Sequence, residues 1–245
     1  MTKRFYTEAA VIALEDGASG VALDGRSIRT PAGAALALPL PALAEAVAAE
    51  WAAQEGTVRP LSMPMMRLAA TAIDRVGRER AAVVAQIAAC GAHDLLCYRA
   101  GAPEPLVRRQ AETWQPLLDW CARTCGARLA VTEGVTHVEQ PQEALAALTA
   151  TVDAMDDFRL AALSQLTAAC GSLVLALAVC AGRTDAAGAI AASQLDEAWQ
   201  AENWGSDAEA ETRRANLARE ITDAVRFLEL LDRRTAGDRR AARAL

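Results

Sequence analysis

The sequence predicts an α+β fold, with a small antiparallel β domain at the N-terminus and a mainly helical domain after it. Short apolar runs separated by turn residues dominate the first forty positions. From Pro41 onwards, apolar side chains recur every three or four residues, which is the period of an amphipathic helix. Aromatic residues make up only 4% of the 245 residues, so the core is expected to be aliphatic. We expect domains at residues 1–40 and 41–232, followed by a basic, flexible tail at 233–245.

The β domain is predicted from its alternation of apolar runs and turns. The runs Ala9–Leu14 and Gly20–Leu23 flank a polar turn, and Asp24-Gly25 after them is a strong signal for a two-residue hairpin. Arg26–Thr30 and Ala35–Leu38 complete a unit of three or four short strands. Such a unit buries little surface by itself, so we expect it to pack on the segment that follows.

The helical domain is predicted from apolar periodicity and from helix start and stop signals. Its expected helices run at about 41–55, 64–76, 78–98, 107–125, 145–155, 157–182, 185–203 and 207–232. Trp51 continues the apolar series of the first helix and is expected to anchor it as a buried residue. Pro116 in the fourth predicts a kink or two abutting helices, and residues 128–138 after it predict a second short β excursion.

An uncharged segment at Leu160–Gly182 is long enough to cross a bilayer, which takes about 20 residues. It contains Ser164, Gln165, Thr167 and Ser172, is rich in alanine and has no aromatic residues at its ends. A helix that is apolar on all sides can equally be the central helix of a bundle. We interpret the segment as one buried core helix.

Charge and cysteine content exclude several classes of protein. The chain carries 31 acidic against 25 basic residues, a net charge of −6, which argues against a primary nucleic-acid-binding protein. The N-terminal residues show neither the apolar stretch of a secretory signal nor an arginine-rich, acid-poor transit peptide. We therefore expect a cytoplasmic protein whose six cysteines are reduced and bind no metal.

Motifs that would indicate an enzyme are largely missing. The chain contains no Walker A, G-x-G-x-x-G, G-x-S-x-G or H-E-x-x-H pattern. Cys90, His93 and Cys97 follow C-x2-H-x3-C, but no fourth ligand lies at a usual zinc spacing. We interpret Cys90 and Cys97 as small core residues, His93 as a polar contact, and Cys121 and Cys125 as part of the apolar seam of the fourth helix.

An acidic segment at Leu195–Glu211 is the most distinctive stretch of the sequence. It holds six acidic residues, no lysine or arginine, and the tryptophans Trp199 and Trp204. In one interpretation the acids favour a helix start and the tryptophans lie in the core. In the other, the segment is an acidic surface with aromatic edges that receives a basic partner. The residues alone leave both open.

The motifs taken together resemble the chaperones that assemble the F1 sector of ATP synthase by acting on its α subunit. The most specific of them are EWxxQ at Glu50–Gln54, QxxxWxP at Gln110–Pro116 and the acidic ExxxxxxWG that ends at Trp204-Gly205. Further matching segments are LDGRSIRTPAG at Leu23–Gly33, LPLPALAEAVAAEWAAQ at Leu38–Gln54, MPMMRLAATAID at Met63–Asp74, DLLCYRA at Asp94–Ala100, LVRRQAETWQPLLDW at Leu106–Trp120 and LDEAWQAENWG at Leu195–Gly205.

The resemblance implies a small β domain joined to a helical orthogonal bundle, without catalytic residues, cofactor or metal. It implies a chaperone that binds the unassembled α subunit, prevents its aggregation and is released by competition with β. The absence of a mitochondrial leader suggests a bacterial member, in the cytoplasm. The residues expected to face the partner are Glu197, Trp199, Glu202, Trp204, Asp207, Glu209 and Glu211.

Structural roles are expected for Glu50, Trp51, Gln54 and Trp114. The alternative to a chaperone is an enzyme for a small molecule, with its site at Cys90 and His93 or in the acidic segment.

Overall fold

The computed structural model describes residues 2–233 and divides them into two compact units. Unit 1 contains residues 2–78 and 226–233, and unit 2 contains residues 79–225. The domain boundary expected after residue 40 stays a prediction. The expected flexible tail lies outside the described residues, apart from Arg233.

Unit 1 begins with the predicted antiparallel sheet. Its strands are β1 (Ala9–Ala13), β2 (Ser19–Leu23) and β3 (Arg26–Ser27), in that spatial order. The hairpin between β2 and β3 turns at Asp24 and Gly25, whose φ angles are both positive, at 47° and 78°. Positive φ at both positions is what a tight hairpin of this hand requires, which explains the Asp-Gly pair. The segment expected as a fourth strand contributes only isolated bridges from Ala35 and Leu38.

Two helices complete the N-terminal part of unit 1. The first, α1 (Pro41–Ala52), packs against β1 and β2, and it also contacts α2 (Pro64–Thr71). A π-helical turn at Ala72–Val76 continues α2. Leu43, Val47 and Met65 are fully buried, so the thin sheet gains its core from these helices, as expected.

Unit 2 is mainly helical. Its helices are α3 (Gly77–Ala89), which starts at the boundary, α4 (Glu104–Thr124), α5 (Gln142–Asp153), α6 (Asp157–Cys170), α7 (Leu173–Cys180), α8 (Ala186–Ser193), α9 (Leu195–Trp204) and the first part of α10 (Ala208–Asp232). Two short strands, β4 (Tyr98–Arg99) and β5 (Thr132–Glu133), pair in parallel, so the second β excursion is shorter than expected. The pair of abutting helices allowed at Pro116 is wrong, because α4 runs through the proline as one helix.

The single core helix expected at Leu160–Gly182 is also wrong, because the structure forms two helices there. Gly171 ends α6 in the left-handed region, with φ 64°. Ser172 then begins α7 by accepting a hydrogen bond from the Leu175 N–H. Neither helix is long enough to span a bilayer, and among residues 2–233 no helix is both long and apolar enough to do so.

A carboxylate that is fully buried in unit 2 holds the start of α7. One oxygen of Asp94 accepts hydrogen bonds from the Ser172 hydroxyl (2.8 Å) and the Leu96 N–H (3.0 Å). The other accepts from the Val174 N–H at 2.9 Å. Burial raises the pKa of this carboxyl, while its hydrogen bonds act in the opposite direction. Since seven of the eight residues of α7 are buried, Asp94 orders the centre of the unit.

Candidate functional site

The acidic segment forms an exposed surface on unit 2, made by α9, the loop after it and the first turn of α10. Every expected carboxylate is exposed, and Trp204 is 75% exposed while Trp199 is half-buried. Of the two interpretations that the sequence leaves open, burial of both tryptophans in the core is therefore wrong for Trp204. We call this the acidic surface; its residues are Glu197, Trp199, Glu202, Trp204, Asp207, Glu209 and Glu211.

One acid of the acidic surface has a basic partner from a distant part of the sequence. The two carboxylate oxygens of Glu202 accept hydrogen bonds from Arg109 of α4 at 2.7 and 3.0 Å. The Arg109 guanidinium holds the pKa of Glu202 below its usual range, and Glu202 raises the pKa of Arg109. The segment itself contains no lysine or arginine, but α4 supplies an arginine to Glu202 from a distant part of the sequence.

The remaining acids differ in how far they are already engaged. Asp207 accepts a hydrogen bond from the Ala210 N–H at 2.7 Å and so caps α10, and Glu211 accepts one from the Ser206 hydroxyl at 2.6 Å. The side chains of Glu197 and Glu209 make no hydrogen bond or ion pair within residues 2–233. These two carboxylates are the ones available to a partner.

Two buried residues of the QxxxWxP motif on α4 hold the turn between α8 and α9, where the acidic surface begins. Gln110 is 1% exposed and donates a hydrogen bond from Nε2 to Asp196 at 2.7 Å. Trp114 is fully buried and donates from Nε1 to the Ala192 carbonyl at 2.9 Å. Together they fasten both ends of the α8–α9 turn to α4. The start of α9 is therefore held to α4 by these two hydrogen bonds.

The EWxxQ motif organises unit 1 through hydrogen bonds. The Glu50 carboxylate accepts from the Met65 and Met66 N–H groups at 2.7 and 2.8 Å, which caps the start of α2. Gln54, 5% exposed, accepts from the Arg59 N–H at 2.8 Å and donates to the Ser62 hydroxyl at 3.2 Å. The structural role of both residues stays a prediction until stability is measured.

Trp51, the third residue of this motif, is half-buried, although its periodicity predicts a buried anchor. Its ring meets Tyr6 edge-on at 5.6 Å between centroids, and its carbonyl accepts a hydrogen bond from the Tyr6 hydroxyl at 2.7 Å. One side of the indole remains open to a cleft on unit 1.

The cysteines and histidines form no metal site. Cys97 is buried as expected, but Cys90 is exposed, because α3 ends one residue before it and a 3-10 turn follows. His93 and His137 lie 5.0 Å apart between ring centroids, a proximity that their 44-residue separation in the sequence does not reveal. Among residues 2–233 no three potential ligands of the histidine, cysteine or carboxylate type come together.

Three features of the structure, in addition to the His93–His137 contact, are not predicted from the sequence. They are the Arg109–Glu202 pair, the capping of α7 by Asp94, and the cleft beside Trp51. The first two join residues about 80 or more positions apart, which local periodicity does not connect. For the cleft, the only hint is the methionine-rich MPMM at its base.

Comparison with known families gives a match over the first half of the chain. Residues 3–122 match the family described as ATP12 chaperone protein. The mitochondrial protein atp12 of Schizosaccharomyces pombe is 26% identical over 220 residues, which cover 83% of this chain and 74% of that protein.

Solved structures extend the similarity to nearly the whole chain. Atp12 from Paracoccus denitrificans is 44% identical, with a TM-score of 0.88 over 94% of this chain and 98% of that one. An aspartate-to-lysine mutant of the same protein gives equal identity and TM-score and covers 97% of that chain. A structure from Agrobacterium tumefaciens is 43% identical, with a TM-score of 0.87 over 94% of this chain and 86% of that one.

Proposed function

This chain belongs to the ATP12 chaperone family, and from that premise we propose that it binds the unassembled α subunit of the F1 sector of ATP synthase. The family relationship makes it a chaperone and not an enzyme. An enzymatic site at Cys90 and His93 or in the acidic segment is therefore not proposed. The observation that carries our proposal is the acidic surface itself, with the two unpaired carboxylates of Glu197 and Glu209 and the exposed Trp204.

Such a surface can act as a chaperone by binding the unassembled subunit, without catalysing a reaction. A subunit that has not yet assembled exposes the apolar faces that its neighbours will cover, and such faces aggregate. Glu197 and Glu209 offer carboxylates to arginine or N–H donors of the α subunit, and Trp204 offers the kind of aromatic contact that dominates binding energy at interfaces.

We propose that release follows from competition. The β subunit covers a larger area of the same α face in the assembled ring, and a partner that binds more tightly displaces one of modest affinity by mass action. No nucleotide cycle is required, and the proposed binding involves neither nucleic acid nor insertion into a membrane. A cytoplasmic location, as expected from the sequence, is part of this proposal.

The acidic surface is tested by neutralising its two unpaired carboxylates. A variant carrying Glu197→Gln and Glu209→Gln should have a free energy of unfolding within about 0.5 kcal/mol of the parent's, because both side chains are exposed and unpaired. It should bind purified α subunit at least about fivefold more weakly, a loss of about 1 kcal/mol, and rescue F1 assembly poorly in cells that lack the chaperone.

A matched control removes the same charge elsewhere on unit 2. Glu139 and Glu143 are exposed and unpaired within the described part of the chain, so Glu139→Gln with Glu143→Gln should bind and rescue like the parent. Parent-like binding and rescue by the Glu197 and Glu209 variant would place the α-binding surface elsewhere. Equal loss in both variants would indicate a general charge effect.

A further inference from the structure

Unit 1 carries two adjoining clefts that the proposed function does not use. The first has a volume of about 520 Å³, and its apolar floor is formed by Trp51, Val58, Met63, Met66 and Ala70. The second, of about 650 Å³, is lined by Phe5, Tyr6, Leu23 and Ile28. Trp51 and Arg29 line both clefts, so the two clefts adjoin at these residues. We call the two clefts together the Trp51 groove.

The floor of the groove has the composition of a protein-binding surface. Tryptophan and methionine are enriched where proteins bind each other, and methionine side chains adapt to differently shaped partners. Phe5, at the other end of the groove, is 68% exposed, a large apolar side chain left without cover within residues 2–233.

Positive charge lines the rim. The first cleft is bordered by Arg29, Arg67 and Arg75, and the second by Arg26. Arg26 and Arg67 make no side-chain hydrogen bond or ion pair within residues 2–233. The excess of arginine contrasts with the net charge of −6 of the whole chain.

Two carboxylates line the clefts within the described part of the chain, and both are already engaged. Asp24 accepts hydrogen bonds from the N–H groups of Thr7 and Glu8 at 3.0 and 2.9 Å. Asp74 accepts from the Thr30 hydroxyl at 2.6 Å and the Ala32 N–H at 3.0 Å. Since these acids serve the fold of unit 1, the side chains of Arg26 and Arg67 are the charges that remain available to a ligand.

We propose that the Trp51 groove is a second docking site, which takes a polypeptide segment carrying a large apolar side chain with carboxylates beside it. The apolar side chain lies against Trp51 and the methionines, and the carboxylates meet the arginine rim. This proposal rests on the chaperone function only in taking the occupant to be a polypeptide, and it does not require that the α subunit bind the acidic surface.

A small-molecule ligand fits the groove less well than a polypeptide. Small-molecule sites fix their ligands with a few convergent polar groups on the walls of an enclosed pocket. Here the polar groups are long, exposed arginine side chains around an apolar floor. Such an arrangement selects a ligand by its charge and its apolar area. It can therefore bind polypeptide segments whose sequences differ.

The test uses fluorescein-labelled twelve-residue peptides and the full chain. The probe peptide has a central Phe-Leu pair with two glutamates on each side, and its counterpart has lysines in place of the glutamates. We expect the glutamate peptide to bind at least about tenfold more tightly than the lysine peptide by fluorescence anisotropy. Its affinity should fall as the ionic strength rises from about 0.05 to about 0.5 M, because salt screens exposed charges.

Variants at the rim locate the binding. Arg29→Glu with Arg67→Glu should weaken binding of the glutamate peptide at least about tenfold, and Thr71→Trp should also weaken it by filling the first cleft. Arg78 and Arg128 are exposed and do not line the groove, so Arg78→Glu with Arg128→Glu is the matched control and should bind like the parent. Glu197→Gln with Glu209→Gln should leave peptide binding unchanged, which separates this proposal from the one for the acidic surface.

Three outcomes would overturn the proposal. They are equal binding of the two peptides, parent-like binding by both groove variants while each retains the parent's thermal unfolding, and equal loss in the Arg78 and Arg128 control. A fourth outcome would come from analytical sedimentation of the chain alone. Self-association that Arg29→Glu with Arg67→Glu abolishes would make a second copy of this chain the occupant.

Discussion

Trp51 both packs in unit 1 and lines a surface groove. Its half-buried ring packs edge-on against Tyr6, and its other side borders the Trp51 groove. Helical periodicity correctly indicates an inward-facing position for this residue, but periodicity carries no information about a cleft that leaves part of the ring uncovered.

Replacing Trp51 by arginine should destabilise the protein by about 2–4 kcal/mol, because the ring contacts are lost and a charge is placed against the apolar side of the groove. The measurement is the free energy of unfolding in urea. Trp204→Arg is the matched control, since Trp204 is 75% exposed, and its cost should stay within about 0.5 kcal/mol. Similar stabilities of the two variants would show that Trp51 is not an anchor.

The thiols should differ in reactivity according to their environments. A hydrogen bond with Cys121 lowers the pKa of Cys125 below its usual range, whereas burial raises the pKa of Cys97 and Cys170 to about 12. The thiolate is the nucleophile, so alkylation of Cys125 in the folded protein should begin at a lower pH than that of Cys97 and Cys170.

The measurement is mass spectrometry after iodoacetamide treatment between about pH 6 and 9. Cys125→Ser should abolish the alkylation that occurs at the lowest pH, and Cys97 and Cys170 should react only after unfolding. In denaturant without reductant all six thiols should titrate, because the sequence predicts reduced cysteines. Fewer than six, or stoichiometric zinc by elemental analysis, would contradict that prediction.

At the scale of elements, the sequence predicts what local interactions decide. The β2–β3 hairpin is confirmed because Asp24-Gly25 dictates its turn, and α2 starts where Pro64 supplies a first-turn proline. The division into α6 and α7 is missed, because Gly171 and Ser172 read as part of one apolar run. Their effect depends on Asp94, which approaches from 78 positions away.

The same limit applies to the candidate site. Composition alone identifies the acidic segment. Its exposure in the structure is consistent with the interpretation that it forms a surface. The pairing of Glu202 with Arg109 requires α4 and α9 to come together, which no local pattern reports. The exposure of Cys90 likewise follows from where α3 ends, a boundary that a helical period does not define closely.

The junction of α6 and α7 should depend on the Asp94 carboxylate. Asp94→Asn should lower the free energy of unfolding by about 1–3 kcal/mol, because an amide cannot present an acceptor to both the Val174 N–H and the Ser172 hydroxyl in a fully buried position.

A capping aspartate on the surface supplies the control for this variant. Asp185 accepts from the Gly188 N–H at 2.8 Å and is exposed, and asparagine is an equally good cap there. Asp185→Asn should therefore cost less than about 0.5 kcal/mol in urea unfolding. Equal effects of the two substitutions would mean that Asp94 acts only as an ordinary cap.

At the scale of the whole molecule, the two units present different chemistry to a partner. Unit 2 carries the acidic surface with Trp204, and unit 1 carries an apolar groove with an arginine rim. Each surface can be altered separately by exposed substitutions.

The central claim is that the chain keeps the unassembled α subunit from aggregating until the β subunit takes its place. The most direct measurement is light scattering of purified α subunit diluted from denaturant, with one equivalent of the chain present, followed by addition of β. We predict that the chain suppresses scattering and co-elutes with α in gel filtration, and that β then releases it free. Unchanged scattering in its presence, or a chain that stays bound to α after excess β is added, would contradict the account.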